Sequence, residues 1–314
     1  MEKYQVHVFV LCLLVAAAST AARGQGMPHR VHNGWADLRN EAVLQAGETE
    51  RERGTKMLEA AANLHGLAKW RTYTTLEVVA RDTWSQGDGW WPARSQGLRH
   101  QQLLDTFTSR VELQDGPGNG EVWGIQAWAT YKQRPGESKP IFLDPPDTAI
   151  HFYLPTLQYF NELPFRLLRA GFVTDAGPGQ WNGQEFDRVF ASWANGEACG
   201  DYDQYVVWIG RGSKRIEMVH YTVRDAASTA PADQQEMMRA GAVGTMHYLD
   251  YRDVQGVQFP FRQFVTLFGP EQAQLPLENN YFHAIEVTEA RFDAVPRDLL
   301  LPDPGRPKPG DSKP

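Results

Sequence analysis

Two stretches of sequence decide the fold of this chain: DYDQYVVWIGRGSKRIEMVHYTVRD at residues 201–225 and GTMHYLDYRDVQGVQFPFRQFVTLF at residues 244–268. Each contains two long segments rich in β-branched and aromatic residues, which favour strands. Short polar turns, GRGS at 210–213 and DVQG at 253–256, divide the segments. This pattern predicts two β-hairpins with long strands.

The first hairpin contains a strand that is apolar on both faces. Successive side chains of a strand point to opposite faces, so Tyr205, Val207 and Ile209 share one face. Val206 and Trp208 share the other face. Both faces must therefore be covered, either by other parts of the chain or by something that the protein binds.

Most of the chain follows the same β pattern. Further strands are predicted at 73–84, 103–113, 122–132, 184–193, 202–209, 214–224, 245–251, 257–268 and 281–292, and nearly all connections carry Gly, Pro or Asp. A helix is predicted at 48–69, before the first strand. Because the strands follow one another without intervening helices, the sequence predicts a mainly β fold with an antiparallel sheet and covering helices.

Residues 146–171 are the exception to the β pattern. They contain IHFYLPTLQYFNELPFRLLRAG, in which large apolar side chains lie all around a helical circumference. Pro155 and Pro164 predict a division into two short helices, since proline lacks the amide donor of the helical ladder. A helix this apolar must be buried on several sides. Two interpretations stay open: a core helix packed on the sheet, or a broken helical lid over a cavity in a curved sheet.

The composition of the terminal segments predicts their role and their degree of order. Residues 1–22 predict a cleavable signal peptide, because an apolar run at 6–18 follows Lys3 and precedes small residues. About 13 apolar residues are too few for the ~20 that span a membrane. Residues 23–47 predict a loosely structured lead-in, 48–296 a single domain, and 297–314 a disordered proline-rich tail. Export places the protein in the periplasm, or outside the cell if the organism has a single membrane.

Charge and cysteine content narrow the classes of partner. The net charge of −7 argues against nucleic acid and against anionic membrane surfaces as partners. Removal of the signal peptide also removes Cys12, so Cys199 is the one cysteine that remains. No internal disulfide can then form, and the stability of the folded chain must come from its hydrophobic core. The chain is expected to act as a monomer.

Several of these features together resemble one superfamily. They are the secretory signal, MLEAAANLHGLAKW at 57–70 before the first strand, the aromatic helical insert, DQYVVWI at 203–209, IEMVHYTVRD at 216–225 and YRDVQGVQFPFR at 251–262. The chain resembles the periplasmic lipoprotein carriers of the LolA/LolB type over about residues 56–292, and most of all their uncharacterised "outer membrane lipoprotein-sorting protein-like" branches. The resemblance is strongest at 203–224 and at GVQFP, 256–260.

The resemblance implies a fold and a function. The implied fold is an incomplete, strongly curved antiparallel β-barrel with a helical lid, whose concave apolar cavity takes up acyl chains. The implied function is that of an exported soluble carrier for lipid or lipoprotein acyl chains, with a membrane protein as donor or acceptor. Two departures are visible: the chain has no lipobox, unlike the membrane-anchored receptor, and it is longer than the usual soluble carrier.

Candidate cavity residues come from the helical insert and from tryptophans. A lid must turn apolar side chains toward what it covers, and aromatic side chains are common in ligand pockets. The predicted lining residues are Phe152, Leu157, Phe160, Phe165, Trp128, Trp193 and Trp208. The alternative function is a non-catalytic envelope scaffold whose core is filled by its own side chains, and a hydrolase ranks third.

Catalytic and metal-binding patterns are weak, so the sequence predicts no enzyme, no cofactor and no metal. Asp201 and Asp203 form a D-x-D pair that could hold a hard cation, although such a pair more often begins a strand. His220, His247 and His283 lie on separate predicted strands and could converge. Cys199 has acidic rather than basic neighbours, which disfavours a nucleophile. The chain has neither a G-x-S-x-G motif nor a glycine-rich phosphate loop after a strand.

Overall fold

The computed structural model describes residues 29–85, 91–104, 106–193, 196–198, 202–224, 232, 235–241 and 243–306. Within this part of the chain, β1 (Arg30–His32) and β2 (Trp35–Asp37) form a small hairpin. Thirteen further strands form one sheet in which every neighbouring pair is antiparallel. The mainly β, antiparallel fold predicted from the sequence is confirmed.

The strands of this sheet all lie within residues 75–292. Its strands are β3 (Thr75–Trp84), β4 (Ser95–Leu103), β5 (Thr108–Leu113), β6 (Val122–Gln126), β7 (Ala129–Gln133), β8 (Ile141–Phe142), β9 (Phe172–Trp181), β10 (Gln184–Ser192), β11 (Gln204–Gly210), β12 (Ile216–Thr222), β13 (Val243–Val254), β14 (Val257–Leu267) and β15 (His283–Phe292). Their order is β8-β7-β6-β5-β4-β3-β15-β14-β13-β12-β11-β10-β9. The last strand, β15, therefore joins the two halves, while β8 and β9 remain as open edges.

The described helices are α1 (Glu41–Leu44), α2 (Glu48–Leu64), α3 (Leu67–Trp70), α4 (Thr148–Arg166), α5 (Gln235–Gly241) and α6 (Arg297–Leu300). The single helix predicted at 48–69 is divided at Gly66, whose φ of 97° lies outside the right-handed helical region. A Cβ at this position would overlap the carbonyl oxygen of Gly256 in the β13–β14 turn. Gly66 thus lets the α2–α3 junction approach that turn.

None of the helices in the described ranges combines the length and the hydropathy that a membrane crossing requires.

One tyrosine demonstrates that the sheet is strongly curved. The ring of Tyr159 on α4 lies 6.5 Å from that of Phe107, next to β4, and 5.3 Å from that of Tyr205 on β11. Six strand spacings of about 4.8 Å would separate β4 from β11 by about 29 Å in a flat sheet. The sheet must therefore bend around α4, which lies on its concave face.

The two faces of β11 are both covered by protein. Tyr205, Val207 and Ile209 belong to the main core together with α4, as the predicted alternation requires. Val206 and Trp208 belong to a second cluster on the convex face. Leu38 and Val43, from the segment before α2, pack against this second cluster. The strand that is apolar on both faces is thus sandwiched between α4 and the N-terminal segment.

Several predicted boundaries were wrong. The strand expected at 103–113 is interrupted between β4 and β5, and the one expected at 122–132 is the hairpin of β6 and β7. Residues 172–181 form β9, which the sequence analysis did not predict. The insert at 146–171 forms one continuous α-helix containing both Pro155 and Pro164, followed by a 3₁₀ turn, and not two short helices. Burial of α4 offsets the roughly 3 kcal/mol that an interior proline costs a helix.

The segments predicted as lead-in and tail contain ordered elements where they are described. β1, β2 and α1 lie within 23–47, and the side chain of Asn40 caps α1 and donates to the carbonyl oxygen of Ala176. In the tail, Leu300 of α6 is buried against Leu103 and Val295. Residues 1–28, which include the predicted signal peptide, and 307–314 lie outside the described residues. The domain limits stay predictions.

Candidate functional site

The candidate site is the interface between α4 and the concave face of the sheet. Asp147 caps the helix: its Oδ1 accepts from the amides of Ala149 (3.0 Å) and Ile150 (3.1 Å). Its Oδ2 accepts from Lys132 Nζ of β7 at 2.9 Å, and its own amide donates to Thr130 Oγ1 at 2.7 Å. These contacts fix the first turn of α4 against one side of the sheet.

The predicted lining residues of α4 lie at this interface. Leu157, Phe160 and Phe165 are buried in the main core, and Phe152 is partly buried against it. The Phe165 ring stacks on that of Trp70 at 4.3 Å. Phe160 meets the ring of a concave-face tyrosine of β12 edge-on at 5.2 Å. All four side chains therefore contact the main core, although they lie at different angles around α4, which is buried on nearly all sides.

The three predicted tryptophans divide between the two faces. Trp128 lies in the β6–β7 turn at a φ of 61°, 5.4 Å from the rings of both Phe107 and His151. Trp193 follows β10 and meets the Tyr159 ring at 6.3 Å. Trp208 is on the convex face, where the sheet separates it from α4. Strand alternation is the reason, because Tyr205 and Val207 already occupy the concave face of β11.

A first polar tie joins α4 to the centre of the sheet. The Tyr153 hydroxyl donates to Asp82 Oδ2 of β3 at 2.5 Å and lies 2.8 Å from His283 Nε2 of β15. His283 Nε2 is also 3.0 Å from Asp82 Oδ2, and the Trp84 ring stacks on His283 at 4.2 Å. All three polar side chains are at most 3% exposed. Burial, reinforced by Asp82, raises the pKa of Tyr153 well above its usual value, so the hydroxyl stays protonated.

A second polar tie lies toward the other end of α4. Glu162 Oε2 accepts from Arg166 Nη2 at 2.6 Å, and Glu162 Oε1 accepts from the amides of Gln158 (2.9 Å) and Gln102 of β4 (2.8 Å). The Arg166 guanidinium also lies 4.2 Å from the centroid of the Phe107 ring. The ion pair is fully buried, with side-chain exposures of 0% for Arg166 and 1% for Glu162. Such a pair is strongly destabilised when one partner is removed.

Sequence reasoning missed both ties, although a signal for the second was present. Gln158, Glu162 and Arg166 recur every four residues and so form one polar stripe along α4. His100 and Gln102 are two positions apart on β4, so their side chains point to the same face of the sheet. The Asn161 Nδ2 atom lies 3.3 Å from His100 Nδ1 and 3.2 Å from Gln102 Oε1. Both patterns are visible in the sequence: a polar stripe on a helix that is otherwise apolar, and polar residues on the face of β4 that points into the core. Pairing the two would have predicted the contact between α4 and β4.

The predicted catalytic and metal-binding candidates have structural partners where they are described. Asp203 Oδ1 accepts from Thr222 Oγ1 and from the Arg224 amide, both at 2.9 Å, which joins the ends of the β11–β12 hairpin. Asp201 and Cys199 lie outside the described residues. His220 and His247 bond threonine hydroxyls at 2.9 and 3.0 Å on the convex face, so they do not converge with His283 on the concave face.

Four histidines are held neutral by burial. They are His65, His100, His220 and His247, whose pKa burial lowers to about 4, 3, 3 and 4 respectively. The cause is that burial removes water from the charged imidazolium. They behave as core residues with hydrogen-bonding partners rather than as proton-transfer groups.

Comparison with known proteins gives structural neighbours only. No family model and no curated protein sequence matches the chain. Similar solved structures include a domain from Vibrio parahaemolyticus named for outer membrane lipoprotein sorting, with 11% identity and a TM-score of 0.49 over 80% of this chain and 97% of that domain. Another is a LolA superfamily protein from Nitrosomonas europaea, with 11% identity and a TM-score of 0.43 over 79% of this chain and 96% of that protein.

The fold is established by the structure of this chain itself. The predicted incomplete, strongly curved antiparallel sheet is confirmed, since the sheet has open edges and carries a helix on its concave face. Identities and TM-scores this low carry no information on ligand or activity.

Proposed function

We propose that this protein is an exported carrier that holds acyl chains of lipids or lipoproteins between α4 and the concave face of the sheet. The observation that carries the proposal is the construction of that interface. One long apolar helix covers the concave face of a sheet that is open at both edges, and its lining includes Leu157, Phe160 and Phe165. Two compact polar ties and a capped first turn hold the helix there.

The energetics of this interface suit a carrier. An acyl chain of 16 carbons gains about 12 kcal/mol at about 0.8 kcal/mol per buried methylene. To enter, it must displace α4 and break the ties at Asp82 and Glu162. Water can solvate those polar groups once the helix moves away, which lowers the cost of opening relative to an all-apolar interface. Binding would then be firm and still reversible.

A scaffold with a filled core is the second candidate, and one observation favours it. The lining side chains already pack against protein, as in the 4.3 Å stacking of Phe165 on Trp70. A scaffold needs no movement of α4, whereas a carrier does. The two functions therefore differ in whether the helix leaves the sheet.

Catalysis is not part of the proposal. The polar groups nearest to a catalytic arrangement, Asp82, Tyr153 and His283, are buried and hydrogen-bonded to one another. A hydrolase would lose its activity in Asp203→Asn or His283→Gln while keeping its fold. Retention of any hydrolytic activity in both variants would exclude these residues from its chemistry. We place the monomeric protein in the periplasm, where a membrane protein would deliver or accept the cargo.

The test combines native mass spectrometry with uptake of a fluorescent fatty acid. Protein purified from the cell envelope should carry lipid and should bind the probe. Leu157→Glu places a charge in the proposed cavity and should abolish uptake, whereas the same change at Leu64, which is 45% exposed on α2, should not. Circular dichroism verifies folding.

Two outcomes would contradict the carrier. Lipid-free protein that also fails to take up the probe would support the scaffold. Unchanged uptake by folded Leu157→Glu would show that the probe binds elsewhere. If Leu157→Glu does not fold, the milder Leu157→Asn takes its place with Leu64→Asn as its control.

A further inference from the structure

A cavity lies on the convex face, near the β8 edge and away from α4. Its volume is about 380 Å³; it is open to solvent and is lined by β5, β6, β7, the loop after β7 and α6. Its lining includes the polar side chains of Arg110, Tyr131 and Arg134 and the apolar side chains of Val122 and Leu299. Neither the resemblance to lipoprotein carriers nor the proposed acyl site involves this cavity.

Strand register explains how its floor is built. Arg110 of β5 is opposite Gly124 of β6, which is opposite Tyr131 of β7, so all three share the convex face. A Cβ at Gly124 would overlap the Tyr131 ring. The tyrosine therefore lies across the glycine, with its hydroxyl directed along the row toward Arg110.

Two hydrogen-bond donors on this floor lack partners among the described residues. Tyr131 is 2% exposed, and its hydroxyl makes no hydrogen bond there. Arg110 Nε is likewise buried without an acceptor. Burial raises the pKa of Tyr131 to about 12, against the opposing effect of the Arg110 charge, so the phenol keeps its proton. Buried donors of this kind are normally satisfied, and an oxygen-rich ligand would satisfy both.

The charges around the cavity are balanced. Arg134 is exposed, and its side chain forms no ion pair within the described ranges. Glu137 accepts from the Arg134 amide at 3.0 Å, and Asp298 lies exposed on α6. Selectivity for an anion would therefore come from the inward-facing donors rather than from a positive field.

We propose that this cavity binds a phosphate monoester, with Arg110 and Tyr131 donating to the phosphate oxygens and Arg134 closing over them. Three donors from two strands and a loop suit a tetrahedral anion with three free oxygens. The cavity is much larger than phosphate alone, and Val122 and Leu299 would contact the organic part of the ligand. A soluble phosphate ester and the headgroup of a phosphatidic acid share this chemistry.

Calorimetric titration with glycerol 3-phosphate at low salt tests the site. Arg110→Gln should weaken binding at least tenfold, and Tyr131→Phe should weaken it severalfold. Asp298→Asn should strengthen it, because an exposed negative charge is removed from the rim. The control is Arg71→Gln, an equivalent loss of charge at an exposed position outside the cavity. No binding at millimolar ligand, or equal affinity in wild type and folded Arg110→Gln, would overturn the proposal.

Vesicle co-sedimentation separates the two sources of ligand. Phosphatidylcholine vesicles with and without phosphatidic acid are compared using wild type and Arg110→Gln. Arg110-dependent binding to the acidic vesicles identifies a lipid headgroup, whereas its absence, with glycerol 3-phosphate still bound, identifies a soluble ester. Glycerol 3-phosphate has no acyl chain, so its titration reports on this cavity whether or not acyl chains bind beneath α4, and failure of the acyl-carrier proposal is distinguishable from failure of this one.

Discussion

Replacement of Tyr153 by phenylalanine should make α4 easier to displace. The change removes the hydroxyl that donates to Asp82 at 2.5 Å and lies 2.8 Å from His283, while the ring and its packing remain. A hydrogen bond to a charged group contributes about 1.5–3 kcal/mol. In the closed state Asp82 stays buried without this donor, whereas in the open state water takes its place. The closed state is therefore destabilised relative to the open state by about that amount.

The destabilisation of the closed state determines how much more readily the ligand is taken up. At 1.4 kcal/mol per factor of ten, a shift of 1.5–3 kcal/mol raises the opening equilibrium roughly tenfold to a hundredfold. Titration with the fluorescent fatty acid and stopped-flow uptake should both show the increase. Urea unfolding should show a loss of stability of about 1.5–3 kcal/mol.

A matched variant separates opening from general destabilisation. Tyr251→Phe removes another hydroxyl hydrogen bond, from Tyr251 to the Ile216 carbonyl at 2.6 Å, which does not involve α4. It should lower stability without raising uptake. If Tyr153→Phe lowers stability while uptake stays at the wild-type level, α4 does not leave the sheet when the ligand binds. That result would contradict the carrier and support the scaffold.

Three further predictions follow from the buried groups. The four buried histidines have their pKa lowered by burial, so below about pH 6.5 the unfolded chain binds protons that the folded chain excludes. Urea unfolding between pH 7 and 5 should show stability falling on average by about 1 kcal/mol per pH unit for each histidine, more steeply toward pH 5 than near pH 7, and His100→Gln should reduce that slope by about one quarter. Gly66→Ala should cost about 1–3 kcal/mol in thermal unfolding, against little change for Gly212→Ala, which has open space around it. Glu162→Gln should cost about 3–5 kcal/mol because Arg166 stays buried and charged, whereas Glu59→Gln on the exposed side of α2 should cost nothing measurable.

The β pattern could be predicted because alternation is a local property. At 205–209 the sequence already separates the residues that face α4 from those that face the N-terminal segment. Strand ends and turns were harder. Ala127 and Trp128 both have positive φ in the β6–β7 turn, yet neither residue type signals a turn. β9 contains Gly177, Pro178 and Gly179, which indicate a loop, and an edge strand tolerates them.

The site was predictable in its apolar part only. Leu157, Phe160 and Phe165 could be placed because a helix that is apolar all round must be buried. The tie between Asp82 and Tyr153 joins residues 71 positions apart, and such pairing depends on the tertiary fold. The continuity of α4 through its prolines has the same origin, since packing against a curved sheet outweighs a local preference.

The two polar ties also determine how α4 would open. Tyr153 and Glu162 are nine residues apart, about 13 Å along a helix, and Pro155 lies between them without an amide donor. If the continuous helix leaves as one body, both ties break in the same event, and the effects of Tyr153→Phe and Glu162→Gln on uptake multiply in the double variant. If instead the helix bends at Pro155, only one of its two halves moves. Uptake then changes only in the single variant whose substitution lies in the moving half, and the double variant shows the same uptake as that single variant. The helix runs unbroken from 148 to 166, so we expect multiplication. A double variant that is folded and takes up the probe no faster than wild type would contradict both forms of opening.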